Sequence, residues 1–533
     1  MIVLFLLSSV VKAASAEPIR ATVLYDSLGH PTLKLNVIDK SGAAYGLFSD
    51  EIETTGWGQL QITAGYGSNK IYSDTQLMFA AGYLESALTA KRIYQHFHNT
   101  MPQILPDSGM AAKVRVWFQE QEKWMTQMID MNKEDSYWRQ VGLVYAQYRG
   151  LVQGYKEHSS STEELEDFSF QVLNGYGDLL DIPAAINRSL APNWNKMTLS
   201  EIRDAVAARS HCSVLVKMLP GFEDIVFGHT TWFSFSIMLR IYKHYDLNLQ
   251  DPATASKGVS FSSYPGCLVS LDDFYIMSSG IIMLQTTNNM WNHSLYDLVK
   301  PQSLLAWHRV KVANTMASTS QMWAEIVAKY NSGTYTNQYM LLDLKRFKAK
   351  MSLEDGALWV AEQIPGLTVA QDLTRMLREG HWASYNVPFY EKIYNMSGYV
   401  DFVESHGVEF SHELAPRAKI FRRDSDKVAG VESLKSLLRY NNYKNEPYSG
   451  GNACNTICCR GDMLNPAKAF GCFDTKVANY SMGISRIAEG VSSPTINGGL
   501  SPFSWSEFPN VSHLGMPTEW NFDFVHMEPI ELD

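Results

Sequence analysis

From Asp74 to Ser159 the chain keeps apolar residues at helical spacing with few glycines or prolines, and one turn, around Asp107-Ser108, breaks the run and caps the next helix. Segments of the opposite character flank this block. Residues 19–65 alternate apolar and polar about Gly and Asp-Ser turns, as in Ala21-Thr-Val-Leu-Tyr25 and Leu33-Lys-Leu-Asn-Val37, and predict antiparallel strands. A helix is expected over 161–182, then a loop holding Pro183 and Pro192. Thr198-Leu-Ser-Glu201 is a capping box opening a short helix to about Ala208. The pattern then flips: Ser213-Val-Leu-Val-Lys-Met-Leu219 and Asp224-Ile-Val-Phe-Gly-His-Thr-Thr-Trp232 predict a hairpin turning at Pro220-Gly221. Further strands are expected at 258–264, 273–287, 338–344 and 356–363, and helices near 302–330. Strands and helices mixed without regular βαβ spacing argue for an α+β fold, helices packed on antiparallel sheets.

Hydrophobic residues make up 45% and charged residues 19% of 533 positions, ample for a large core. The net charge is −10, and no Lys/Arg-rich stretch forms a basic stripe, so a nucleic-acid partner is not expected. Residues 1–16 read as a secretory signal peptide ending in Ala14-Ser15-Ala16, and Lys12 interrupts the apolar run before it could span a membrane. No later segment reads as a transmembrane helix, so the mature protein is expected to be soluble. Sequons at Asn187, Asn292, Asn395, Asn479 and Asn510 fit export and glycosylation. Cys454, Cys458, Cys459 and Cys472 lack the paired C-x₂-C spacing of a zinc ribbon, and an oxidising compartment favours disulfides. A bond between the adjacent Cys458 and Cys459 would be strained, which leaves two connectivities open. No metal or cofactor is expected. Cys212 and Cys267 stand alone.

Several hydrolase signatures are missing: the Gly-x-Ser-x-Gly elbow, the His-Glu-x-x-His helix, the phosphate loop and the dinucleotide fingerprint. Nucleophilic cysteine chemistry remains. In Arg209-Ser-His-Cys-Ser213 a helix gives way to a small polar loop, and a cysteine opens a strand. An N-terminal nucleophile needs this placement, because cleavage at His211–Cys212 would leave a thiol beside its own α-amine, a base with an ordinary pKa of about 7.7–8.0. Simple packing of a core-strand cysteine is the competing reading.

The stretches His211-Cys-Ser-Val-Leu-Val-Lys-Met-Leu-Pro-Gly221, Phe227-Gly-His-Thr-Thr-Trp232, Phe261-Ser-Ser-Tyr-Pro-Gly266, Leu271-Asp-Asp-Phe-Tyr-Ile276, Tyr330-Asn-Ser-Gly-Thr-Tyr335, Trp382-Ala-Ser-Tyr-Asn-Val-Pro388 and Ala415-Pro-Arg-Ala-Lys-Ile-Phe-Arg-Arg423 resemble the phospholipase B-like, or lamina-ancestor, family. The Cys454–Cys459 cluster is similar to that of the first of its two vertebrate members. The resemblance runs from the first strands to the C-terminus. It implies an N-terminal nucleophile αββα sandwich, lysosomal or secreted residence, and self-cleavage of one globular domain into fragments 17–211 and 212–533 that stay associated. It also implies a site of Cys212, His229, Asn386 and Arg417, with Trp232 and Thr287 shaping the pocket. In that site Asn386 would donate to an oxyanion, Arg417 would lower the thiol's pKa or hold a phosphate or carboxylate, and His229 would polarise the thiol or hold a water. Plainer readings stand beside these: a satisfied core histidine, a packed tryptophan, an arginine paired with an acid. Cys267 reads as a buried thiol, and Asp272-Asp273 as a turn or cap that could also support the site.

The function implied is an acyl hydrolase removing fatty acyl chains from phospholipids. The alternatives are an amidase acting on N-acylated or peptide-like compounds, and a processed lysosomal glycoprotein that binds without turnover. Lipid or N-acyl small molecules and the protein's own cleaved fragment are the partners expected.

Overall fold

The computed structural model describes residues 17–67, 72–199, 201–203 and 212–532. The signal peptide expected at 1–16 and His211, where cleavage is expected, lie outside them, as does most of the helix expected beyond Glu201. Its capping box is in place, with Thr198 and Glu201 bonded reciprocally.

Two sheets dominate. The larger has the spatial order Leu367–Asp372, Leu358–Ile364, Asn337–Asp343, Ile281–Thr287, Phe274–Met277, Gly258–Ser263, Arg240–Leu247, Trp57–Ala64, Ala44–Glu51, Ile19–Tyr25, Pro31–Leu35. Every pairing in it is antiparallel except one: Trp57–Ala64 runs parallel to Arg240–Leu247. The smaller sheet is wholly antiparallel, in the order His381–Ser384, Ser213–Met218, Ile225–Ser234, Phe470–Asn479, Ala488–Ser492, Val525–Met527.

Three apolar cores separate the layers. One joins the larger sheet to the helices Asp74–Ile104, Ser108–Met131, Ser136–His158 and Ala306–Met316. A second lies between the sheets, where Val214, Val216 and Phe227 of the smaller meet Ile276, Ile282 and Leu284 of the larger. A third covers the outer face of the smaller sheet, setting Leu215 and Val477 against Ile420, Leu434 and Leu438 of the helices Pro416–Asp424 and Val431–Leu438. The long helical block is bounded as its sequence predicts at Ser73, whose capping box with Gln76 opens the first helix, and at Asp107, which accepts from the Met110 N–H at 2.6 Å. A second break falls at Asn132–Asp135, where Asp135 caps the third helix through the Tyr137 N–H. The first and third helices pack so closely that a Cβ on Gly82 would sit 2.0 Å from the Gln147 carbonyl, and one on Gly150 1.9 Å from that of Phe79.

Two expected elements divide. Residues 161–182 yield only the helix Asp167–Asn174 before the chain turns through Gly175 and Gly177, and Pro183 lies in the first turn of a further short helix, Ile182–Ile186. The strand expected at 273–287 is two strands, joined by a turn in which Gly280 takes φ 80°. The four clustered cysteines form Cys454–Cys459 and Cys458–Cys472.

Candidate active site

Cys212 immediately precedes Ser213–Met218, the strand next to the edge of the smaller sheet, and is fully buried. Ser213 pairs with Thr230, which brings Thr231 opposite Cys212, and Ser384 pairs with Val214, so the loop after His381–Ser384 passes alongside. Cys212 has φ 90°, a left-handed conformation that a residue with a Cβ adopts only under constraint. Leu271 (φ 68°), Asp273 (φ 58°), Tyr335 (φ 51°) and Asn386 (φ 70°) share it and surround the same site. Each such residue stores about 1–3 kcal/mol, and strain of this kind gathers where a structure must hold reactive geometry.

The carbonyl of Cys212 accepts from Arg417 Nη1 at 2.7 Å, and the same nitrogen reaches Ser213 Oγ at 3.1 Å. Arg417 Nη2 donates to Asn386 Oδ1 at 2.7 Å, while Asn386 Nδ2 donates to the Thr287 carbonyl at 2.6 Å. Trp232 lies beneath the guanidinium at 4.3 Å and donates from Nε1 to the Ile457 carbonyl at 3.2 Å. That carbonyl also accepts from Ser213 Oγ at 3.0 Å, so the disulfide-bound loop braces the start of the strand. Cys212, Asn386, Arg417, Trp232 and Thr287 are therefore brought together. Arg417 grips the backbone of Cys212, and among the described residues no carboxylate pairs with it.

The charged groups that act on the thiol are Asp272, Lys476 and Asp474, of which the sequence alone does not single out Lys476. Its ammonium is fully buried and bonds to Asp474 Oδ1 (2.7 Å), Thr231 Oγ1 (2.7 Å), Asp272 Oδ2 (2.8 Å) and His229 Nδ1 (3.1 Å). Arg240 closes the cluster, reaching Asp272 at 3.1 Å and Asp474 at 3.0 Å, so two cations offset two carboxylates. Burial would raise Asp272, but Arg240 and Lys476 hold it below the ordinary carboxylate range. Burial and Asp272 push Asp273 well above that range. Burial, and after it Asp272, push the Cys212 thiol well above its ordinary value, whereas the Trp232 backbone N–H, which donates to it, and Lys476 pull it down.

His229 has both ring nitrogens occupied. Nδ1 accepts from Lys476, so Nε2–H donates to the Gln285 carbonyl at 3.0 Å. Burial and Lys476 keep the imidazole far below its usual pKa, hence neutral. The ligand atoms of His229, Asp272 and Asp474 lie within 4.8 Å of one another, and the Lys476 ammonium bonds to all three. Asp272 lies at a bend before Phe274–Met277 and belongs to this charged cluster. Cys267 is a buried thiol donating to the Leu173 carbonyl at 3.3 Å, pushed up to about 12 by burial. A readable signal did exist for Lys476: charges at positions 474 and 476 place two ionised side chains on one face of an otherwise apolar strand.

A cavity of about 90 Å³ opens on the outer side of this strand, walled by Trp232, Trp291, Tyr385, Tyr399 and Phe410, with Asn386 and Arg417 also lining it. Of the sequon asparagines, Asn395 and Asn510 are exposed, and Asn187, Asn292 and Asn479 are half-buried.

Residues 44–527 match the family profile described as Phospholipase B. Phospholipase B-like 1 of Rattus norvegicus is 49% identical over 498 residues, 93% of this chain and 89% of the relative. Phospholipase B of Crotalus adamanteus is 48% identical over 93% of this chain and 90% of its own length. Phospholipase B-like 1 of Bos taurus is 46% identical over 99% and 96%. Matched along nearly its whole length, the chain belongs to the phospholipase B family.

Proposed function

We propose that the protein is a self-processing acyl hydrolase of the N-terminal nucleophile class, its layers forming an αββα sandwich and Cys212 acting as nucleophile. The observation that carries this reading is a strained, fully buried cysteine opening a strand, its carbonyl held by an Arg417 that also fixes Asn386. In processing, the Cys212 thiol attacks the His211 carbonyl carbon. The peptide C–N bond breaks, the thiol proton passes to the departing nitrogen, and a thioester remains. Water then cleaves the thioester, giving a carboxylate at His211 and a free thiol and α-amine at Cys212. The amine takes up the thiol proton in later turnovers, in which a substrate acyl group replaces His211 on sulfur. Asn386, fixed by Arg417 and Thr287, is the side-chain donor for the tetrahedral oxyanion.

The aromatic walls suit an apolar acyl group, and relatives are named phospholipase B. A phospholipid acyl ester is therefore the first substrate class. An N-acyl amide is the second, because the processing reaction itself breaks an amide. The cavity of about 90 Å³ is below the roughly 300–1,000 Å³ of ligand sites, consistent with an uncleaved chain that opens on processing. The disulfides and family membership support export and residence in the lysosome or outside the cell, with glycans at the sequons.

Wild type incubated in acid should give two fragments on a denaturing gel, the larger beginning at Cys212, while Cys212→Ala stays intact. A wild type that stays whole would sink the mechanism. Processed enzyme should then release fatty acid from phosphatidylcholine, lysophospholipid or an N-acyl amine. If it matches Cys212→Ala on all three, the protein binds and does not turn over.

A further inference from the structure

Among the described residues, three charged side chains line the cavity: Arg203, Glu409 and Arg417. Arg203 and Glu409 neutralise each other at 2.8 Å. Among the described residues Arg417 has neutral partners only, namely the Cys212 carbonyl, Ser213 Oγ, Asn386 Oδ1 and the Trp232 ring. The cluster behind the strand provides no counter-charge, since Arg240 and Lys476 already balance Asp272 and Asp474. Enclosure lowers Arg417 to about 9, which still leaves it charged at any pH the protein would meet. A partly buried guanidinium without an anion is unfavourable, and its planar fork is shaped for a carboxylate or phosphate.

We infer that the cavity recognises an oxyanion, carboxylate or phosphate, carried on an apolar chain, with Arg417 as its ion partner and the aromatic walls holding the chain. This rests on the hydrolase reading of the same site and narrows it. The two sources of such a group are the fatty-acid product and a phospholipid headgroup. Because Arg417 also holds the backbone of Cys212, the anion would bind within reach of the nucleophile, so a retained carboxylate product would compete with substrate.

Isothermal titration of processed protein with decanoate, decyl phosphate and decanol tests this. The anions should bind at least about tenfold tighter than decanol, the worth of a charge-assisted hydrogen-bonded pair. Arg417→Gln should remove that preference while leaving decanol unchanged, and Arg417→Lys should keep part of it. Tighter binding of decanoate identifies a product site, and tighter binding of decyl phosphate a headgroup site. Equal affinity for all three ligands in wild type, or an unchanged preference in Arg417→Gln, overturns the inference. Should Arg417→Gln fail to process, processed Arg417→Lys carries the test, and a preference for the anions unchanged from wild type in it overturns the inference. Since binding is the readout, anion recognition without turnover would keep this inference and sink the hydrolase reading. Turnover without anion preference would do the reverse.

Discussion

Lys476 carries its charge through the middle of the molecule with no contact to solvent, and its four partners come from three separate stretches of chain. Removing one member of such a cluster leaves the others uncompensated, at a cost of roughly 3–5 kcal/mol. Lys476→Met and Asp272→Asn, made separately in a Cys212→Ala background, should each lower stability by that order in urea unfolding. The double variant should lose less than the sum, because the two share a network. Strict additivity would mean that the two side chains do not depend on each other. Cys212 is legible as a cysteine opening a strand, whereas Asn386 and Arg417 enter only through the family resemblance of the strings that hold them, and the fold brings those strings together. Lys476 is legible only as half of a charged pair with Asp474, which reads as a strand-surface feature until Asp272, Arg240 and His229 arrive from other strands. The pairing of an acid with Arg417, a reasonable plain reading, finds no such acid among the described residues.

The loop carrying Asn386 is an element with its own fastening. Glu362, fully buried on Leu358–Ile364, accepts from the N–H groups of Phe389 (2.7 Å) and Tyr390 (3.1 Å) and from Gln338 Nε2 (2.6 Å). Burial pushes its carboxyl up to about 7 from 4.5. Between those values the native state holds a proton that the unfolded chain has released, so this contribution is complete at low pH and is lost as pH rises to about 7. Glutamine cannot titrate. The stability of Glu362→Gln relative to its parent should therefore climb by about 3 kcal/mol from pH 4.5 to 7.5, at 1.36 kcal/mol per pH unit. Urea unfolding of both proteins in the Cys212→Ala background measures it, and a flat difference would show an ordinary carboxyl. Legibility differs by element in the same physical way. The long helices and the Cys212 hairpin announce themselves through one-sided periodicity and clear turns. Phe470–Asn479, central in the smaller sheet, is buried on both faces and so shows no alternation to read.

At the scale of the whole molecule, cleavage before Cys212 would cut a chain whose two parts share one sheet and one core. Trp57–Ala64 pairs with Arg240–Leu247 along eight residues, and Lys243 of the later part bonds Glu85 of the earlier at 2.6 Å, buried. Both disulfides lie within residues 454–472, so no covalent bond would join the fragments. Processed protein should elute as one species in reducing buffer without denaturant, and separate only when unfolded. Elution of a free fragment 17–211 under mild reduction would contradict this. The parallel join has one more consequence. A strand inserted beside a partner from the other fragment is easily placed while the two belong to one chain, because the tether keeps them at high local concentration. Once the tether is cut, reassembly becomes a bimolecular reaction. Uncleaved Cys212→Ala should refold at a rate independent of dilution, whereas processed wild type should refold more slowly the more it is diluted. The molecule would then fold once, as a precursor, and persist afterwards through the slowness of its unfolding.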